Sequence, residues 1–266
     1  MFPVFDAFVS DAPLPLVAGA FMVALILARE VGGGLHRALG GSRGTEGADE
    51  TLIVSGVLGL LALLVAFTFS LALSRYEDRR DLIVQEANDI GTAYMRLQLL
   101  DEPGRSRASA LMRDYAAARV AFGDAGPSQR PAALARADAL QAPLWRATLD
   151  ALGAARRTPT ESSVVSALNS VFDTASERQA ALDARLPAAV LEALAAFSLV
   201  SAALVGYALA GMRSSHRTAT LLLFTLLSLA VVLILDLDRP RSGSIRTPQA
   251  PMHAMLKSLP SLTAAP

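Results

Sequence analysis

The sequence predicts an all-α integral membrane protein with four transmembrane helices and a helical extramembrane domain inserted between the second and third of them. Apolar residues make up 53% of the chain and charged residues only 18%, a balance typical of membrane proteins. Four stretches approach the roughly 20 apolar residues that cross a hydrocarbon layer. The long segment between the second and third stretches is rich in alanine and has almost no β-branched runs, which favours helix.

The clearest span is 52–74, which contains no charged residue and ends at Arg75. The span 186–212 is also long enough, whereas 13–28 and 218–235 are shorter. Residues 1–12 contain two aspartates and no basic residue, so the first stretch is predicted to be a retained span and not a cleaved signal peptide. The predicted order is an N-terminal segment (1–12), helix 1 (13–28), a Gly-rich loop (29–51), helix 2 (52–74), the extramembrane domain (75–185), helix 3 (186–212), a short loop (213–217), helix 4 (218–235) and a tail (236–266).

The distribution of basic residues predicts the orientation. The compartment that would hold both termini and the domain 75–185 contains 19 of the 24 lysines and arginines, and the other compartment contains 5. By the positive-inside rule, this favours a cytoplasmic location for the termini and the domain, although long loops weigh little in that rule. The first span alone favours the opposite orientation, because its only flanking basic residues follow it.

Within 75–185, apolar residues at helical spacing predict a helical bundle. The stripe Ile83, Ala87, Ile90, Tyr94 and Leu97 indicates that the second span continues as one amphipathic helix to Leu100. Three further helices are expected before residue 185, and one short helix is expected in the tail near 252–259.

Several functional classes are disfavoured. The 24 basic and 24 acidic residues cancel, so there is no electrostatic footprint for a nucleic-acid partner. The absence of cysteine excludes thiolate chemistry. The three histidines, His36, His216 and His253, have no metal-ligand partner at helical spacing. No nucleophile motif or phosphate loop is present, so neither an enzyme nor a cofactor is expected.

One face of the second span is smaller and more polar than the opposite face. Its residues recur every three or four positions. They are Gly56, Gly59, Leu63, Phe67, Ser70 and Ser74. Small residues in a membrane helix can serve close helix packing. Alternatively, this face lines a pore in which Leu63 and Phe67 form a hydrophobic constriction and the serines hydrate the remainder.

Two carboxylates, Asp236 and Asp238, follow the last span directly. Together with backbone carbonyls they could bind calcium, or they could pair with Arg239 and Arg241. The two neighbouring arginines favour ion pairs, so the two aspartates are only weak calcium candidates and no metal site is predicted.

Three motifs resemble a bacterial family that is described as bestrophin-like and was long known only as a domain of unknown function. They are GVLGLLALLVAFTFSLALSRYEDRR at 56–80, QEANDIGTAYMRL at 85–97 and DLDRPRSG at 236–243. The residues that carry the resemblance are Tyr76, Arg79, Arg80, Glu86, Asn88, Arg96, Asp236, Asp238, Arg239 and Pro240.

The resemblance implies a relation to bestrophins, which are pentameric ion channels with a pore lined by the second helix. Their pore neck consists of one isoleucine and two phenylalanines four residues apart, and these fall on Gly59, Leu63 and Phe67 here. Only Phe67 keeps the residue type. The acidic calcium clasp of animal bestrophins falls on Asp236 and Asp238, where the longer acidic run is missing.

The functional hypothesis from sequence is therefore a homo-oligomeric, pentameric ion channel of the bacterial inner membrane, with the lipid bilayer, further copies of itself and small inorganic ions as its partners. Arg75 would set the charge at the pore mouth. The alternative is a non-conducting membrane sensor or interaction protein whose helical domain binds a partner.

Overall fold

The computed structural model describes residues 9, 12–39, 47–153, 159–211, 216–240 and 243–259. The described residues form eight α-helices and no strand. The helices are α1 (Leu14–Ala38), α2 (Gly47–Leu97), α3 (Gly104–Asp124), α4 (Arg130–Leu152), α5 (Pro159–Asp183), α6 (Ala188–Ala210), α7 (Arg217–Asp238) and α8 (Ala250–Ser258). The predicted all-α fold class is confirmed.

Four helical segments are long and apolar enough to cross a membrane: Leu14–Ala38, Leu52–Leu97, Pro159–Ala210 and Arg217–Asp238. In the third segment the apolar residues lie in α6. The chain forms two compact units, the first from Met1–Arg75 and Arg185–Ile245 and the second from Tyr76–Ala184 and Arg246–Pro266. The first unit holds the apolar spans and the second holds the amphipathic helices.

In the first unit, α1 packs against α6 and α7. Leu25, Ala202 and Phe224 form a buried cluster that joins these three helices. The hydroxyl of Ser228 on α7 donates a hydrogen bond to the carbonyl of Ala18 on α1, at 3.3 Å. Interhelical packing of this kind, with few polar contacts, is typical of membrane helices.

The expectation of a glycine-rich loop over 29–51 is wrong at both ends, because α1 continues to Ala38 and α2 begins at Gly47. A Cβ atom at Gly32 would overlap the backbone carbonyl of Ala203, and a Cβ atom at Gly206 would overlap that of Arg29. These glycines therefore allow the backbones of α1 and α6 to approach closely, as small residues do between membrane helices. Residues 40–46 lie outside the described residues.

The second unit has one hydrophobic core, built by the C-terminal half of α2 together with α3, α4, α5 and α8. The predicted stripe on α2, from Ile83 to Leu97, is buried in it. The helix itself ends at Leu97, three residues before the predicted end, because the amides of residues 98–100 bond to carbonyls three positions back. Helix α8 contributes Met252 and Met255 to this core.

Glu102 shapes the start of α3. Its carboxylate accepts hydrogen bonds from the hydroxyl of Ser106 at 2.8 Å, from the Arg105 side chain at 2.9 Å and from the Ser106 amide at 3.3 Å. The first amides of a helix lack intrahelical acceptors and favour a nearby negative charge. Glu102 therefore satisfies part of this end of the helix.

Candidate functional site

The N-terminal half of α2 has one narrow side buried against its own chain. Its buried side chains are Leu61, Thr68 and Ala72, which are seven and four positions apart and so share one face. Thr68 is satisfied within the helix, since its hydroxyl donates to the Leu64 carbonyl at 2.8 Å. Because this side packs against the chain, the opposite side of the helix is left uncovered in the isolated subunit.

The six residues predicted to share one face do share it, and that face lies opposite the buried side. At about 100° per residue, positions 56, 59, 63, 67, 70 and 74 are roughly half a turn away from Leu61. All six are exposed in the isolated chain. The side chains of Leu63 and Phe67 are 51% and 65% exposed. A Cβ atom at Gly56 or Gly59 would meet no atom within 4 Å.

The electrostatic character of this face is neutral along its whole length. The segment from Leu52 to Ser74 contains no ionisable residue, and the side-chain hydroxyls among the six residues of the face are those of Ser70 and Ser74 at the C-terminal end. Arg75, predicted as a pore-mouth charge, follows directly and is half-buried. The face thus changes from apolar to hydroxyl-bearing along the helix, and Arg75 lies beyond it, toward the buried side of the helix.

The two flanks of this face have different surroundings. On one flank, Leu60 and Leu71 are exposed. On the other, Ala62 and Ala66 line a cavity of about 430 Å³ between α2, α6 and α7. The cavity is apolar except for two serines of α6. The hydroxyl of Ser198 donates to Leu194, whereas the buried Ser201 hydroxyl has no hydrogen-bond partner in the described part of the chain.

The family-motif residues of the second unit have contrasting surroundings. Glu86 is completely buried and pairs with Arg119 and Arg178. Arg79 is also buried, while Tyr76 is half-buried and Arg80 and Asn88 are exposed. Arg96 is half-buried and donates to the carbonyl of Ser163 at 2.9 Å. Of this set, Glu86 and Arg96 have a clear structural role in joining helices.

The motif after the last span forms a buried joint in the first unit. Asp236 accepts a hydrogen bond from the amide of Ser244 at 2.6 Å, and Asp238 accepts one from the amide of Leu186 at 2.8 Å. A Cβ atom at Gly243 would overlap Asp236. These contacts join the end of α7 to the start of α6 and to the following turn.

The neighbouring Arg239 is buried and donates to the carbonyls of Val9 and Ala12, the latter at 2.6 Å. Pro240 is half-buried and begins the turn that follows. Arg241, a predicted ion-pair partner of the two aspartates, lies outside the described residues. In the described bonds, the side chains of the two aspartates and of Arg239 bind backbone groups of neighbouring segments.

Each aspartate of this joint therefore already accepts a backbone amide. Across the described ranges, no group of three or more histidine and acidic side chains is placed to hold a metal ion. The weak calcium candidacy of Asp236 and Asp238, which also relies on backbone carbonyls, stays a prediction.

Sequence reasoning missed the partners of Glu86. Arg119 on α3 and Arg178 on α5 are 1% and 3% exposed, deeper than most arginines. A signal was present, because Arg178 continues the apolar spacing of Val171 and Ala175 along α5. An arginine at a buried-stripe position of one helix, together with a glutamate beside the buried stripe of another, indicates a buried ion pair.

Known proteins that resemble the chain share its fold. Two crystal structures of single-substitution variants of a bacterial bestrophin homolog from Klebsiella pneumoniae superpose with TM-scores of 0.64 and 0.65, at 15% and 14% identity. The first alignment covers 95% of this chain and 99% of that one, and the second covers 93% and 96%. A third structure, described as a membrane protein, has a TM-score of 0.62 at 14% identity, over 93% of this chain and 97% of that one.

No curated protein is significantly similar to the chain in sequence. A family model described as the bestrophin-like domain matches residues 20–252, which is most of the chain. Together with the four apolar helices, this match shows that the chain is a membrane protein that belongs to the bestrophin-like family.

Proposed function

We propose that the chain is one subunit of a homo-oligomeric ion channel, of the pentameric bestrophin type, that conducts small ions across the bacterial inner membrane. The observation that carries the proposal is the uncovered, uncharged face of α2, with Leu63 and Phe67 exposed and the backbone bare at Gly56 and Gly59. Membership of the bestrophin-like family supports the same function.

In the proposed pore, each residue of this face occurs once per subunit around a central axis. Rings of Leu63 and Phe67 form the narrowest, apolar section, which controls conduction by its tendency to lose water. At Gly59, which has no side chain, the proposed pore is wider than at Leu63 and Phe67. The hydroxyls of Ser70 and Ser74 hydrate ions near the end that Arg75 follows.

The flanks of the face support assembly by a head-to-tail contact between copies. In a ring, each subunit uses one surface toward one neighbour and a different surface toward the other. The large Leu60 and Leu71 of one copy would pack toward the small Ala62 and Ala66 of the next. Small residues permit the close approach of membrane helices.

The cysteine-free chain allows a direct test of that contact. The double variant Leu60→Cys with Ala62→Cys should form disulfides between copies and give a ladder of covalent oligomers on oxidation. Each single cysteine should give monomers, because equal positions do not face each other in a ring. Dimers from one of the single variants would indicate a two-fold contact instead and would contradict the ring.

We further propose that both termini and the domain 75–185 lie in the cytoplasm. The support is the excess of basic residues on that side, 19 against 5.

The experiment for the function is planar-bilayer recording of the purified protein in asymmetric salt, together with native mass measurement in detergent. Discrete, ion-selective currents from a pentamer are expected. A silent monomer or dimer would contradict the channel and favour the non-conducting sensor or interaction protein.

The constriction is tested by Phe67→Ala, with Phe69→Ala as the matched control on the same helix. Removing the Phe67 ring should raise single-channel conductance, since it widens the apolar section of the pore. Phe69 lines the lateral cavity, so its truncation should leave conductance unchanged. Equal conductance in Phe67→Ala and the unaltered protein would remove Phe67 from the pore.

A further inference from the structure

The core of the second unit contains an ion cluster that the proposed conduction does not use. Glu86 of α2 is 0% exposed, and its two carboxylate oxygens accept hydrogen bonds from Arg119 Nε and from Arg178 Nη1. The second terminal nitrogen of Arg178 donates to the amide oxygen of Gln249 at 2.7 Å. Three helices and the segment before α8 thus meet at this cluster.

The buried groups of this cluster carry an excess positive charge. One carboxylate faces two guanidinium groups, and Gln249 adds only a neutral acceptor. Asp89 lies one turn from Glu86 but is only half-buried, and it accepts the Thr174 hydroxyl at 2.7 Å. Asp138, the other nearby carboxylate, is exposed and screened by water.

The aromatic ring of Phe122 lies beside these guanidinium groups and brings no negative charge to balance them. The guanidinium carbons of Arg119 and Arg178 lie 4.8 and 5.7 Å from its centre. An aromatic face attracts cations but does not neutralise them. Desolvated charge without a counter-charge is strongly unfavourable inside a protein.

Two hydrogen-bond donors of the same cluster have no acceptor. Arg119 Nη2 and the Tyr115 hydroxyl are buried and have no partner in the described ranges. The two residues are one turn apart on α3 and therefore lie on the same face. Burial raises the pKa of the Tyr115 phenol, so Tyr115 stays neutral at physiological pH and keeps its O–H donor. Buried donors without acceptors are rare in native proteins and indicate a bound group.

We infer that Arg119 and Tyr115 bind a small monovalent inorganic anion, of the size of chloride, in the core of the second unit. The terminal nitrogen of Arg119 can only donate, so neither a cation nor a further donor would satisfy it, and the Tyr115 hydroxyl beside it can donate as well. A halide accepts hydrogen bonds from several directions and would balance the excess positive charge. The full burial of Tyr115 and of the neighbouring Met112 and Ala116 excludes a large anion.

This site is buried in the core of the second unit and uses no residue of the candidate pore face, so we assign it a structural or regulatory role. Its test must therefore not depend on currents. Thermal unfolding of the full-length protein in detergent, at constant ionic strength and with one cation, compares chloride with the much larger gluconate. Chloride should raise the melting temperature in a saturable way.

The variant Tyr115→Phe removes one hydrogen bond to the anion without changing the shape of the core. The chloride concentration for half of the effect should rise about tenfold, as expected for the loss of one bond to a charged group. The matched control is Tyr94→Phe, another buried tyrosine of the same core, which should keep the response of the unaltered protein. A response that is equal in Tyr115→Phe and the unaltered protein would overturn the inference.

Crystals of the unaltered protein grown in bromide provide a second test that needs no variant. An anomalous peak within hydrogen-bonding distance of Tyr115 Oη and Arg119 Nη2 is expected. A water at this position without anomalous signal, together with equal stability in chloride and gluconate, would show that solvent and not an anion satisfies the two donors.

Discussion

The two halves of α2 belong to one continuous helix but differ in how their own chain covers them. In the half from Tyr76 to Leu97, an apolar stripe and the carboxylate of Glu86 are buried among four other helices. In the half from Leu52 to Ser74, only Leu61, Thr68 and Ala72 are buried. The more apolar half is therefore the less covered one.

This contrast indicates which surfaces need a partner from outside the chain. Apolar side chains such as Leu60 and Leu71 are satisfied by lipid as well as by protein. Exposed glycines and serines on a membrane helix gain little from lipid, and they are better explained by a water-filled path or by close packing against another copy. The covered half, by contrast, contributes stability.

The largest effect is expected for Glu86→Ala. The substitution leaves two buried guanidinium groups without their carboxylate, and breaking a buried pair in this way costs about 3–5 kcal/mol. Thermal or denaturant unfolding of the purified protein measures the loss. Asn88→Ala, two residues away and exposed, should change stability little. Similar stability in both variants would mean that the cluster does not hold the second unit together.

The comparison itself is tested by the same truncation in each half. Leu97→Ala opens a cavity in the core and should cost about 2–5 kcal/mol. Leu63→Ala removes an exposed side chain and should cost less than about 0.5 kcal/mol. Unfolding midpoints of the two variants give the difference. A large loss for Leu63→Ala would show that this face packs against protein in the assembled state.

The smallest effect is expected at the start of α3. Hydrogen bonds from Ser106 and Arg105 lower the pKa of Glu102 below its ordinary value of 4.5. The stabilisation is therefore complete above the unfolded-state pKa and is lost as the pH falls through the lowered folded-state pKa. The protection factor of the Ser106 amide, which corrects for the slower intrinsic exchange in acid, should fall between about pH 5 and pH 3 in the unaltered protein, around the reference pKa of glutamate. In Glu102→Gln the protection factor should not change with this titration.

The sequence predicts the fold class because the relevant signals are local. The uncharged run from Leu52 to Ser74 identifies a span, and the helical spacing from Ile83 to Leu97 identifies a buried stripe. The six residues of the candidate face share one side for the same reason, since helical spacing alone places them there. Their exposure in the isolated chain follows from packing and required the structure.

Features that depend on contacts between distant segments were not predictable. Gly32 resembles a loop residue in sequence, and only the backbone of α6 beside it explains its place in a helix. The arginines that pair with Glu86 lie 33 and 92 positions away from it. Helical spacing places Arg178 on a buried stripe of α5, but composition and spacing do not show which distant residue it meets.

The central claim is that the uncovered face of α2 lines a water-filled path. Single cysteines introduced along α2 into the cysteine-free chain test it, with a charged, water-soluble thiol reagent applied during current recording. Because only a hydrated thiolate reacts, the account predicts that the reagent changes the current at Gly59, Leu63, Phe67 and Ser70 and has no effect at Leu61, Thr68 and Ala72. Modification without that periodicity, or no change in current at any position of the face, would contradict it.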